Sequence, residues 1–159
     1  MAKNEPLDRI PFFRSLGDAE REILAPISVR RTYKRGETIF REGDPPGPLR
    51  ILVTGLVSFR QRQYGGEGEA SFGSIAAEGE LFGISALLGE RERYFYTAVC
   101  LEPTEVIELD GPKLLRLCEE KPIAGIRIMR RLTEVLAQRL TAAREQIRSR
   151  VRSGLISHG

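Results

Sequence analysis

The chain has 159 residues, 41% of them hydrophobic, with 25 Lys and Arg against 22 Asp and Glu and a net charge of +3. That is enough apolar material for one core and too much for global disorder, and no run approaches the roughly 18 uncharged residues a membrane span needs. Two cysteines, Cys100 and Cys118, and a single histidine, His158, leave no disulfide framework and no metal-ligand spacing, so no metal site is expected. The opening Met-Ala-Lys-Asn-Glu-Pro lacks the apolar stretch of a signal peptide, and the thiols read as small buried hydrophobes of a cytoplasmic protein.

Residues 6–27 predict short helices, with Asp18 as N-cap of Ala19–Leu24 and Pro26 as its stop. From Val29 the pattern turns to short extended pieces. Arg31–Tyr33 and Glu37–Phe40 flank a turn at Gly36, and Arg41–Asp44 makes another. Pro45–Pro48 is a rigid loop, and Leu49–Thr54 is a strand closed by Gly55. Leu56–Arg62 alternates and returns as Glu69–Ile75 across the Gly65–Gly68 tip. Tyr96–Leu101 and Thr104–Leu109 are the last strands. Many short strands with glycine turns predict a closed antiparallel roll, an α+β fold that is mainly β.

Between these strands, Phe82-Gly83 opens a short helical turn, Ser85-Ala86-Leu87-Leu88, whose first N–H groups have no partner inside the turn. Pro112–Glu119 predicts a short helix, and Pro122 sits near the start of a far longer one ending at Gly154, with 154–159 as a loose tail. Along it Met129, Leu132, Leu136, Leu140, Ala143, Ile147 and Val151 recur at intervals of three or four, the spacing of a coiled-coil seam. About thirty helical residues reach roughly 45 Å, farther than a small roll can cover, so a second copy of the chain is the expected partner. Residues 127–152 carry eight arginines against Glu134 and Glu145, while the rest of the chain is net acidic. Such a segment attracts polyanions or keeps a helix soluble.

No Gly-x-Ser-x-Gly, His-Glu-x-x-His or phosphate-loop pattern is present, and the carboxylate pairs Glu119-Glu120 and Glu90/Glu92 read as solvated surface. An enzyme is not expected.

The order of elements and the turn residues resemble the sensor half of the Crp/Fnr family of bacterial regulators. Tyr33–Phe40 resembles that family's first hairpin, Leu49–Val57 its central strand pair, and Gly79-Glu-Leu-Phe-Gly83 the opening of its phosphate-binding cassette. The resemblance runs from about Pro11 to Arg152. It implies residues 1–121 as a cyclic-nucleotide-binding-like roll with N-terminal helices and 122–153 as a dimerisation helix, with no helix-turn-helix segment after it.

In cyclic-nucleotide binders the cassette carries a glutamate after Phe-Gly for the ribose hydroxyl and an arginine near its end for the phosphate. Here those positions hold Ile84 and Tyr94, with Phe95 next and Arg93 one residue early. The helix pair that reads adenine corresponds to Ala143-Arg144. The resemblance therefore implies a pocket formed by Phe82, Gly83, Ile84, Ser85, Ala86, Leu87, Arg93, Tyr94 and Phe95, with Ala143 and Arg144 at its margin, that does not bind cyclic AMP in the usual way. Two readings stay open: a different small effector, apolar or anionic, or a filled, vestigial site. The family's iron–sulfur sensors need about four cysteines per cluster and its haem sensors a placed axial ligand, so neither cofactor is expected.

The leading expectation is an effector-sensing and dimerising part of a transcriptional regulator, with DNA contact through a separate domain or weakly through the arginine-rich helix. The alternative is a module that controls a partner protein without DNA. No membrane association is expected.

Overall fold

The computed structural model describes residues 7–63, 65–75, 79–89 and 92–156. The β region is one long antiparallel ribbon rolled on itself. At its closed end β4 (Val57–Arg62) and β5 (Glu69–Ile75) form a hairpin. Behind them β3 (Leu49–Thr54) pairs with β6 (Leu81–Phe82), β2 (Thr38–Phe40) with β7 (Thr97–Cys100), and β1 (Ser28–Tyr33) with β8 (Thr104–Leu109). Rolling adds β3 to β8 and β4 to β7, which gives two four-stranded sheets ordered β1-β8-β3-β6 and β2-β7-β4-β5.

Two local expectations are corrected by this topology. Tyr33–Phe40 is not a hairpin: β1 and β2 lie in different sheets, and the turn closed by the Glu37 N–H on the Lys34 carbonyl at 3.1 Å carries the chain between them. Likewise β3 and β4 are not a pair. Turn chemistry reports that a strand ends, while its ladder partner is chosen by contacts far along the chain, such as Arg31 opposite Val106. Strand ends also shift by a residue: β4 begins at Val57, and β7 spans Thr97–Cys100.

The sheet alternation feeds two cores. Leu49 and Ile51 on β3, with Ile107 and Leu109 on β8, face the helices and pack with Phe12, Phe13, Leu24 and Leu114. Leu52 and Val106, one position out of step, face the roll interior with Phe40, Phe59, Phe82 and Tyr94.

Helix α1 (Pro11–Arg14) and α2 (Asp18–Leu24) open the chain. The N-cap of α2 is Gly17, not Asp18. Asp18 instead pairs with Arg21 across one turn. Glu20 is the residue that turns back on the helix start: its own backbone N–H holds the carboxyl below the ordinary range, against the cost of burial, helped by the Arg127 guanidinium at 3.1 Å and the Gly17 N–H. Asp110 caps α3 (Gly111–Glu120) by accepting the Lys113 N–H at 2.9 Å.

After Lys121 leaves helical geometry, Pro122 starts α4, which runs to Ile156. The expected stop at Gly154 is thus passed, because an exposed glycine lowers helix propensity without breaking the hydrogen-bond ladder. Residues 157–159, including His158, lie outside the described residues, as does Glu90. Where α3 meets α4 the backbones nearly touch: a Cβ on Gly125 would fall 2.6 Å from the Cys118 Cα. No helix among the described residues is long and apolar enough to cross a membrane.

Candidate functional site

Between the sheets, β2, β4, β6 and the segment before β7 bring five rings together. Phe40 stacks on Tyr94 with centroids 3.9 Å apart and planes 14° from parallel. Tyr96 lies 5.4 Å from Phe40 and 4.6 Å from Phe59, and Phe82 lies 5.8 Å from Phe59. Offset and tilted pairs of this kind add to simple area burial.

Tyr94 is the pivot of the site. It is 4% exposed, and its hydroxyl oxygen accepts the Gly47 N–H at 2.6 Å and Arg50 Nη1 at 3.1 Å. Arg50 shares the interior face of β3 with Leu52. It donates to the Pro48 carbonyl at 3.1 Å, pairs with Glu108 at 3.2 Å and lies 5.3 Å from the Phe40 centroid. Glu108 also takes Arg31 at 3.0 Å. This buried cation is therefore neutralised by a buried carboxylate, and the phenol fastens the pair to the Pro45–Pro48 loop.

The cassette turn is equally committed to internal contacts. Gly83 has φ +77°, a conformation side chains resist, and it heads the 3-10 turn Ile84–Leu87. Its N–H is taken by the Tyr96 hydroxyl at 3.2 Å. Burial raises the Tyr96 phenol above its ordinary pKa, so it stays neutral. Ser85 is buried and donates its hydroxyl to the Arg93 carbonyl at 3.2 Å.

Several expected lining residues sit elsewhere. Ile84, Ala86 and Leu87 pack on the helix-side core, not among the rings. Phe95 is 50% exposed. Arg93 is exposed as well, in a segment that is not a strand. The inward position of the pair therefore goes to Tyr94 through the turn before β7, without the strand alternation expected there. Of the nine cassette residues, Phe82, Gly83 and Tyr94 border the aromatic interior, and Ser85 closes the turn.

On the expected helix margin, Ala143 and Arg144 are both exposed in the single chain. On α4, Arg139 approaches the rings: its guanidinium donates to the Leu81 carbonyl and lies 5.9 Å from the Phe59 centroid. Its Nε is buried without a hydrogen-bond partner, and burial lowers its pKa without discharging it. Sequence reasoning missed Arg139, Arg50 and Tyr96. The signals were present: Arg139 stands seven residues after Leu132, on the line that enters the core, and Arg50 interrupts an otherwise apolar strand.

The seam residues divide. Leu132 is 3% exposed in the helix-side core with Ile128 and Val135, so it faces this chain's own roll. Met129 and Leu136 sit at the edge of that core, while Leu140, Ala143, Ile147 and Val151 are exposed. Ile126, absent from the expected seam, is 68% exposed on their line.

The family model described as "Cyclic nucleotide-binding domain" matches residues 30–121, which span the roll and α3. The chain is 32% identical to the cyclic AMP receptor protein of Thermus thermophilus over 133 residues, 84% of this chain and 58% of that protein. It is 31% identical to the global nitrogen regulator of Synechococcus elongatus over 114 residues, 71% of this chain and 48% of that protein. The chain thus spans about half the length of the curated relatives it matches. A solved cyclic nucleotide-binding domain from Methylobacillus flagellatus superposes with a TM-score of 0.75 at 20% identity, covering 91% of this chain and 79% of that one, a likeness of fold. With roll, cassette turn and long helix in the same order as these relatives, the chain belongs to the cyclic nucleotide-binding domain family, among the homologues of Crp/Fnr-type regulators.

Proposed function

We propose that this chain is the effector-sensing and dimerising part of a Crp/Fnr-type regulator whose roll does not hold cyclic AMP through a cassette guanidinium. The observation that carries the proposal is the buried Tyr94, stacked on Phe40 and bonded to Gly47 and Arg50. A cyclic phosphate needs an uncompensated cation and good donor geometry. The guanidinium bonded to Tyr94 is already matched by Glu108. Ile84 offers no acceptor for a ribose hydroxyl and is turned to the other core.

The effector class that suits these side chains is a small molecule with an apolar body, placed against Phe59 and Tyr96, and an anionic group near Arg139. Arg139 is then the link between occupancy and the helix, because it joins α4 to the Leu81 carbonyl beside the cassette. A ligand shifts α4 only through its different affinity for two arrangements, and competition for that guanidinium supplies such a difference. Two copies are proposed to associate along Ile126, Met129, Leu136, Leu140, Ala143, Ile147 and Val151, with Leu132 left to the roll.

Cyclic AMP at millimolar concentration is expected to raise the melting temperature by no more than about 1 °C, since binding to the folded state stabilises by mass action. A rise of several degrees at micromolar nucleotide would overturn the reading of Tyr94. For the seam, the double variant Leu140→Glu/Ile147→Glu is expected to sediment as a monomer with an unchanged far-UV spectrum. A dimer that survives both charges would place the contact elsewhere. Native mass spectrometry of protein from its host reports any retained molecule and the stoichiometry together.

A further inference from the structure

The distal part of α4 carries a feature that effector sensing and self-association leave unused. From Leu140 to Gly154 every residue is exposed, and in that stretch Arg144, Arg148, Arg150 and Arg152 face a single carboxylate, Glu145. Glu145 reaches Arg148 at 3.4 Å, with both side chains largely solvated, so it screens one charge weakly.

The placement is ordered. On a helix turning about 100° per residue, Arg144, Arg148 and Arg152 form one line, with guanidinium origins about 6 Å apart along the axis. That line lies about 80° around the helix from Leu140, Ile147 and Val151, and nearly opposite the positions that enter the roll. Packing two copies along the apolar line leaves both rows of arginine open. On the side away from the apolar line the row is bordered by Thr141, Glu145 and Ser149, with no apolar anchor among them. A protein partner would need such an anchor at the centre of its interface. A polyphosphate needs only evenly spaced guanidinium forks.

We infer that the arginine row of distal α4 is a docking surface for the phosphodiester backbone of a duplex nucleic acid, independent of base sequence. Two rows in a dimer present six guanidinium groups, so the inference rests in part on the proposed self-association.

The test is fluorescence anisotropy of the full chain with a labelled DNA duplex of about 30 base pairs and mixed sequence, across a potassium chloride series, beside sedimentation of the same samples. Each neutralised phosphate contributes about 0.9 to the slope of log K against log salt, so a dimer is expected to show a slope between about −3 and −5. Arg144→Gln/Arg148→Gln/Arg152→Gln is expected to cut that slope by more than half without changing the sedimentation. A slope shallower than about −1, an unchanged slope in the triple variant, or poly-glutamate competing charge for charge would each overturn the inference. A chain that sediments as a monomer yet keeps a slope near −2.5, lost in the triple variant, would sink the dimer and leave the docking row standing.

Discussion

The two halves of α4 carry similar sequence patterns and meet opposite fates. In the proximal half Ile128, Leu132 and Val135 enter the helix-side core and Arg139 bonds to the Leu81 carbonyl; in the distal half Leu140, Ile147 and Val151 repeat the apolar interval against solvent. Both halves show the three-and-four spacing and both are rich in arginine. What separates them is reach, because 35 helical residues extend about 52 Å and every residue from Leu140 to Gly154 is exposed. Periodicity marks a face as apolar, and only geometry says whether the same chain covers it.

Substitutions at matched positions break or sharpen this contrast. The largest effect is expected at Leu132, which is 3% exposed against 54% for Leu140. Leu132→Ala should destabilise the fold by roughly 3 kcal/mol, through lost burial and the cavity left behind. Leu140→Ala should leave the roll's stability within about 0.5 kcal/mol and act on self-association alone. Urea denaturation at low protein concentration measures both. Equal losses would erase the distinction between the halves.

A middle-sized effect is expected inside the roll. Tyr94→Phe keeps the stack on Phe40 but removes the oxygen that accepts from Gly47 and Arg50, two donors left in a buried setting. A loss of about 1–3 kcal/mol is expected, with no loss of secondary structure. A neutral result would mean that water replaces the phenol freely and that the ring is not a fixed plug.

The smallest effect concerns the base of the proximal half, where Glu20 meets Arg127. The Glu20 carboxyl is held below its ordinary value of 4.5, first by its own backbone N–H. A depressed acid contributes stability that is complete above the unfolded pKa and is lost as pH falls through the folded one. Melting temperature should therefore drop as the solution is acidified below that ordinary value, and Glu20→Gln should flatten this limb while lowering stability at neutral pH. An acid limb identical in the variant would assign the titration to another carboxylate.

Much of the molecule was legible one residue at a time. Glycine turns and alternating runs located β2 to β5, β7 and β8 to within a residue or two, β1 was read three residues short, and Pro112 and Pro122 announced the last two helices. Ile84 and Tyr94 were visible as an apolar and an aromatic residue after the Phe82-Gly83 turn. The pairing of β1 with β8, and of β2 with β7, was not legible, since those partners lie far apart in the chain and no local pattern joins them. For the same reason Phe95 was expected inward and Arg139 was overlooked.

By itself, then, the sequence determined the element order, the apolar and aromatic residues Ile84 and Tyr94 that flank the glycine-turned segment, and the concentration of arginine on the last helix, because each is a property of residue types and their local spacing. Tertiary structure alone decided that Tyr94, not Phe95, faces the interior, that Leu132 belongs to the helix-side core, and that Arg139 links the helix to Leu81 beside the cassette. Those outcomes depend on which surfaces come within a few ångströms of one another, and no local pattern encodes such distances.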